Sequence, residues 1–145
     1  MLRRLRRLLE HRRTQGADAG MSTVEFTIGT PLMFLGLFFL AQLAMFAFAN
    51  QVALASAQAG AREARATADA NPNGWQDRAR TVALNRVNSL GPSLTSDPVV
   101  RPQPAGPGQV RVSVQVRVVN VIPWLNLTTT ATSEGPVERF VPDAG

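Results

Sequence analysis

From Phe26 to Ala61 the chain has no charged residue, and the stretch FTIGTPLMFLGLFFLAQLAMFAFA over 26–49 is apolar around its whole circumference. As a helix rising ~1.5 Å per residue it extends about 36 Å, enough to cross a hydrocarbon core of about 30 Å. Gly29, Thr30 and Pro31 interrupt its early part. A proline there removes one backbone hydrogen bond, so a kink is expected at Pro31. Residues 50–69 continue without a break signal and are rich in alanine. Ala49, Ala53, Ala57 and Ala61 lie four apart, which either forms a stripe for close helix–helix approach or reflects simple helix propensity.

Asn71-Pro72-Asn73-Gly74 signals a turn, and a second helix is predicted over 75–89. There Trp75, Ala79, Val82, Ala83 and Val87 share one face; Arg86 lands inside it and Leu84 outside. Residues 91–108, with five prolines and three glycines, read as a loop or extended linker. The period then changes to two. Val110, Val112, Val114, Val116 and Val118 alternate with polar residues, a strand with one buried face. Leu125, Leu127, Thr129 and Ala131 alternate in the same way beyond a turn at Ile122-Pro123-Trp124. The two strands predict an antiparallel hairpin whose valine face packs on the second helix. The closing segment PVERFVPDAG either adds an edge strand or trails.

Charge gives this pattern a direction. Six of the fifteen basic residues, all arginine, lie in the first thirteen positions; against Glu10 and Asp18 they give residues 1–20 a charge of +4 out of the total of +5. Basicity confined to the flank of a long apolar run sets membrane orientation rather than nucleic-acid binding. Residues 1–20 are therefore a basic leader, either an amphipathic helix on the anionic inner leaflet or a disordered tail, and cytoplasmic in both cases. The expected organisation is a leader at 1–20, a transmembrane helix at 21–50 and a small exported domain at 51–145. The fold class is α+β and membrane-anchored: one long N-terminal helix extending outward, a second helix and a C-terminal hairpin. The expected core comprises Val110 to Val118, Leu125, Leu127, Val82, Val87 and Trp75, small enough to gain stability from partners.

Candidate chemistry is sparse. The 145 residues include no Cys and one His, His11, which excludes a disulfide framework, a thiolate zinc site and a cysteine nucleophile. Asp69, Asp77 and Asp97 fall at turns and helix starts, where acids usually cap or solvate, and no serine has a base near it in sequence. The expectation is a non-enzyme with no cofactor, no metal and no small-molecule substrate.

The junction between leader and span, Ala19-Gly20-Met21-Ser22-Thr23-Val24-Glu25-Phe26, carries more. A charge at the edge of a membrane span is costly, which makes Glu25 a functional candidate. A cut after Gly20 would give Met21 a free amine and make Glu25 the fifth residue of the new chain. In a helical assembly Glu25 of one subunit could then neutralise a neighbour's amine and favour a single axial register.

Gly20 followed by Glu25, ahead of one long apolar helix, resembles the processing site of prepilins in the type IV pilus superfamily. More narrowly, Val24-Glu25-Phe26, Pro31 and the Leu/Phe run from Leu35 to Leu40 resemble TadE-like pseudopilins of the Tad/Flp (tight-adherence) pilus. Pro136-Val137-Glu138-Arg139-Phe140 near the end is similar to the tails of such proteins. The resemblance implies a minor pilin cleaved between Gly20 and Met21 by a membrane prepilin peptidase. Its partners would be the membrane, the major pilin, other pseudopilins and the Tad secretion platform. The site residues it implies are Gly20 and Met21 for processing and Glu25 for assembly, with the alanine stripe packing neighbouring helices. The protein would sit in a bacterial cell membrane, N-terminus cytoplasmic and C-terminal domain outside, for incorporation into the pilus. Met21 stands where many type IV pilins have Phe, and Ala19 and Asp18 precede the glycine where basic residues are frequent. Two other readings explain the span: a plain single-pass anchor presenting a small binding domain, and a secreted protein released at Ala47-Phe48-Ala49 or Ala53-Leu54-Ala55.

Overall fold

The computed structural model describes the backbone of residues 2–138 and the side chains of residues 23–138. The elements run α1 (Leu2–Thr67), α2 (Trp75–Leu90), β1 (Thr95–Gly106), β2 (Gln109–Val118) and β3 (Thr128–Pro136). The chain divides into two compact units, Met1–Leu40 and Ala41–Gly145. Together these elements form the α+β arrangement of a long apolar helix, a second helix and an antiparallel sheet.

In the first unit, α1 remains helical on both sides of Pro31. Without an N–H, Pro31 cannot donate to the carbonyl four residues earlier, at Thr27. Thr27 itself sends its hydroxyl back to the Thr23 carbonyl at 2.7 Å.

The second unit is built on the other end of α1. Thr67 Oγ1 donates to the Glu63 carbonyl at 2.7 Å, and the Asn71 amide donates to the Thr67 carbonyl at 2.8 Å as the helix unwinds into the expected turn. In α2, Trp75, Ala79, Ala83 and Val87 are buried, Val82 and Leu84 are half-buried, and Arg86 turns to solvent. Arg86 thus escapes the apolar face on which helical spacing placed it.

The sheet has three strands in the order β1-β2-β3, antiparallel throughout. The expected hairpin is present as β2 and β3, with Val114 opposite Ala131 and Val116 opposite Thr129. The expected linker at 91–108 is a correction: most of it is β1, paired with β2 from Thr95 opposite Val118 to Gly106 opposite Gln109. An edge strand directs only alternate N–H groups at its neighbour, so prolines of one parity cost it no ladder bond. Pro102 and Pro104 share that parity, opposite Val112 and Val110. Pro98 falls in the bulge between Ser96 and Val99, where Asp97 adopts φ 49°. The turn to β2 uses Gly106-Pro107-Gly108, with Gly108 at φ 67°, a conformation glycine enters without penalty.

The five β2 valines are each at most 3% exposed. They pack into one cluster with Ala49, Val52, Ala53, Ala57, Ala61 and Ala64 of α1 and the buried face of α2. Leu125 and Leu127, expected in the core, are half-buried, while Thr129 and Ala131 continue their alternation into buried positions. On the opposite face, Arg111 donates to Glu134 at 2.7 Å and Ser113 pairs with Thr132 at 3.0 Å. Arg117 reaches Asp97 at 2.8 Å.

Gly60 marks the closest approach within the core. A Cβ built there would stand 3.0 Å from the Ala79 carbonyl oxygen, 3.0 Å from Ala83 Cβ and 3.1 Å from Val112 Cγ1. Gly60→Val is expected to destabilise the protein by about 1–3 kcal/mol through overpacking. Ser56 is fully buried and its Oγ has no hydrogen-bond partner among the described residues. Ser56→Ala, by removing that unsatisfied hydroxyl, should raise stability by about 1 kcal/mol. Denaturant unfolding of the detergent-solubilised chain reads both; a stabilised Gly60→Val or a destabilised Ser56→Ala would contradict this account of the core.

Candidate functional site

The functional surface begins with apolar side chains that the fold leaves uncovered. In the first unit Val24, Phe26, Ile28, Leu32, Met33, Phe34, Leu35 and Leu37 to Leu40 are all exposed, Phe26 at 74%. Phe34 and Phe38, one helical turn apart, bring their ring centroids to 6.5 Å. The helical stretch Thr23–Thr67 is long and apolar enough to cross a membrane, with a mean hydropathy of 2.2 in its most apolar window. Uncovered apolar area of this kind costs about 25 cal/mol per Å² in water, and an apolar surround removes the cost.

Glu25 is exposed among these residues, between Val24 and Phe26. Gly20 and Met21 fall within α1 but lie outside the residues whose side chains are described. Pro31 is exposed on the same helix.

The alanine stripe has a different fate from the one expected. Ala49, Ala53, Ala57 and Ala61 are all 0% exposed, covered by α2 and the sheet of their own chain. Their small size does permit close packing, but the partner is internal. The close approach that the stripe permits is met here by α2 and the sheet of the same chain.

One residue passed over by sequence reasoning holds the second unit together at its apolar end. Gln42 is 2% exposed, and its Oε1 accepts the backbone N–H of Val121 at 2.7 Å and that of Ile122 at 3.3 Å. It thereby ties the loop between β2 and β3 to α1. Two turns further on, Asn50 Oδ1 accepts the Thr129 hydroxyl at 3.0 Å. The available signal was a lone amide, Gln42, within the uncharged run of 26–49. A polar side chain in such a run usually has a protein partner.

Residues 20–62 match the family model described as TadE-like protein. This stretch is a TadE-like domain. Neither a search of curated proteins nor a search of solved structures finds a match. The TadE-like domain opens at Gly20, contains Glu25, Pro31, Gln42 and the four alanines, and closes at Arg62, the first charge after the uncharged run. It therefore combines an uncovered apolar stretch with the buried spine of a folded unit. The match connects the chain with the Tad pilus, and the apolar helix is consistent with membrane anchoring.

Gln42→Leu removes the acceptor for two loop amides. Amide exchange at Val121 and Ile122 should accelerate by roughly tenfold, the equivalent of about 1.4 kcal/mol, with β2 protection retained. Unchanged exchange at both amides would show that the loop is held by other contacts.

Proposed function

We propose that this TadE-like protein is a minor pilin: a non-enzymatic, membrane-anchored subunit that assembles into or primes a Tad-type pilus after its leader is removed. The carrying observation is the TadE-like match, which opens at Gly20 and places Glu25 five residues on, beside an uncovered apolar helix. In this reading a prepilin peptidase cuts between Gly20 and Met21. The +4 leader keeps the N-terminus cytoplasmic, and the unit carrying the sheet is exported. The major pilin, other pseudopilins and the secretion platform are the partners. Glu25 neutralises the new amine of a neighbouring subunit, a pairing that penalises other axial registers.

The core of the second unit argues against release by signal peptidase. Ala47-Phe48-Ala49 and Ala53-Leu54-Ala55 both lie inside α1. A cut after Ala49 would strip Gln42 and Ala49 from the folded unit, and a cut after Ala55 would also take Val52 and Ala53. Either product loses buried side chains and the anchor of the β2–β3 loop.

The N-terminal residue and intact mass of the membrane-extracted native protein test this proposal. The expected chain starts at Met21. A start at Asn50 or Ser56 would replace the pilin reading with secretion, and a retained leader beside an active peptidase would leave a plain anchor. Glu25→Ala is expected to leave cleavage intact while lowering recovery of the subunit in sheared pili several-fold. Equal recovery would remove the assembly role of Glu25.

A further inference from the structure

We infer that the β2–β3 loop lies in the headgroup boundary of the outer leaflet, with Trp124 as its anchor, so that the exported unit touches the bilayer through this loop as well as through its helix. This inference rests on the membrane-anchored reading above.

The loop's composition comes first. Residues 118–133 carry no charge, and Val119-Asn120-Val121-Ile122-Pro123-Trp124-Leu125 combines apolar side chains with amide and indole groups. Trp124 is 79% exposed and Val119 39%. A tryptophan this open in water forfeits a large burial gain, whereas at a membrane boundary its ring sits in an apolar layer and its N–H meets water or headgroups.

The loop is also held in shape. Asn120 Nδ2 donates to Asn126 Oδ1 at 3.0 Å, the Leu125 amide donates to the Ile122 carbonyl at 3.0 Å, and Val118 closes the base on the Leu127 carbonyl at 2.9 Å. Exposure of Trp124 is therefore a property of an internally bonded loop. Backbone groups paired in this way can approach hydrocarbon at low cost.

Position completes the argument. The loop is fastened to Gln42, inside the apolar run of 26–49. Gln42 precedes Ala49, the end of that run, by seven residues, so the loop is fastened to the outward end of the apolar stretch, the side on which an aromatic belt would lie. On the same stretch of helix Leu43 is 54% exposed, while Gln42 is sealed. The loop thus covers Gln42 and satisfies its Oε1, while its Nε2 is buried without a hydrogen-bond partner among the described residues. The nearest charges on β2 and β1, Arg117 and Asp97, are paired at 2.8 Å, and Glu134, Arg111 and Arg65 lie toward the other end of the sheet.

The test uses the full chain reconstituted in phosphatidylethanolamine/phosphatidylglycerol vesicles containing phosphatidylcholine brominated near the acyl carbonyl. The chain has two tryptophans, and Trp75 is 6% exposed within the core. The difference between wild type and Trp124→Phe therefore isolates Trp124. The expected result is loss of the greater part of Trp124 emission to brominated lipid, protection from aqueous iodide, and unquenched Trp75 emission in Trp124→Phe. If the chain floats with the vesicles while Trp124 is quenched by iodide and not by bromine, anchoring stands and the inference fails. Trp124 shielded from both quenchers would mean that protein covers it, which also overturns the inference. A chain that does not float with the vesicles removes the anchored reading itself, and the inference with it.

Discussion

Backbone-level contact between α1 and what lies over it is the constraint on which the second unit depends. A helix face made of Ala49, Ala53, Ser56, Ala57, Gly60, Ala61 and Ala64 has almost no side-chain height. The sheet and α2 can settle on it only if they supply the volume, which the β2 valines and Trp75 do. At Gly60 the gap closes to the point where a single methyl group meets three neighbours at once. The glycine costs about 1 kcal/mol of helix propensity relative to alanine, and this close approach offsets that cost.

The same helix serves two solvents. Up to Leu40 its large apolar side chains are uncovered; beyond it Ala49, Ala53, Ala57, Ala61 and Ala64 are buried, while Leu43, Ala44, Ala47 and Phe48 remain open. Gln42 lies where the character changes, and its carbonyl oxygen satisfies two loop amides that would otherwise face an apolar environment. The TadE-like match spans both regimes, so in this chain the matched segment contributes both the apolar surface and the helix face on which the core of the following unit is packed.

Much of this was legible from residue patterns. The β2 alternation predicted its buried face residue for residue because side chains on a strand repeat every two positions. The turn at Asn71–Gly74 and the extent of α2 followed from local signals that tertiary packing did not override. The proline-rich β1 was hidden because proline count argues against a central strand but is neutral at an edge when the prolines share one parity. The alanine stripe was recognised as a packing surface, yet its spacing carries no information on whether the covering elements come from the same chain or another. Gln42 acts through Val121 and Ile122, about eighty residues away, and no local pattern encodes a contact of that separation.

The two rims of the sheet are chemically unequal. Along β1, Pro98, Pro102 and Pro104 supply no hydrogen to a newcomer, whereas β3 from Thr128 to Glu134 keeps every amide. Strand addition is therefore one-sided in this domain. If two copies met rim to rim through β3, the resulting six-stranded sheet would present proline-bearing β1 at both ends and could not grow further. Such a geometry permits a closed pair and blocks the open-ended cross-strand stacking that leads to fibrous aggregates.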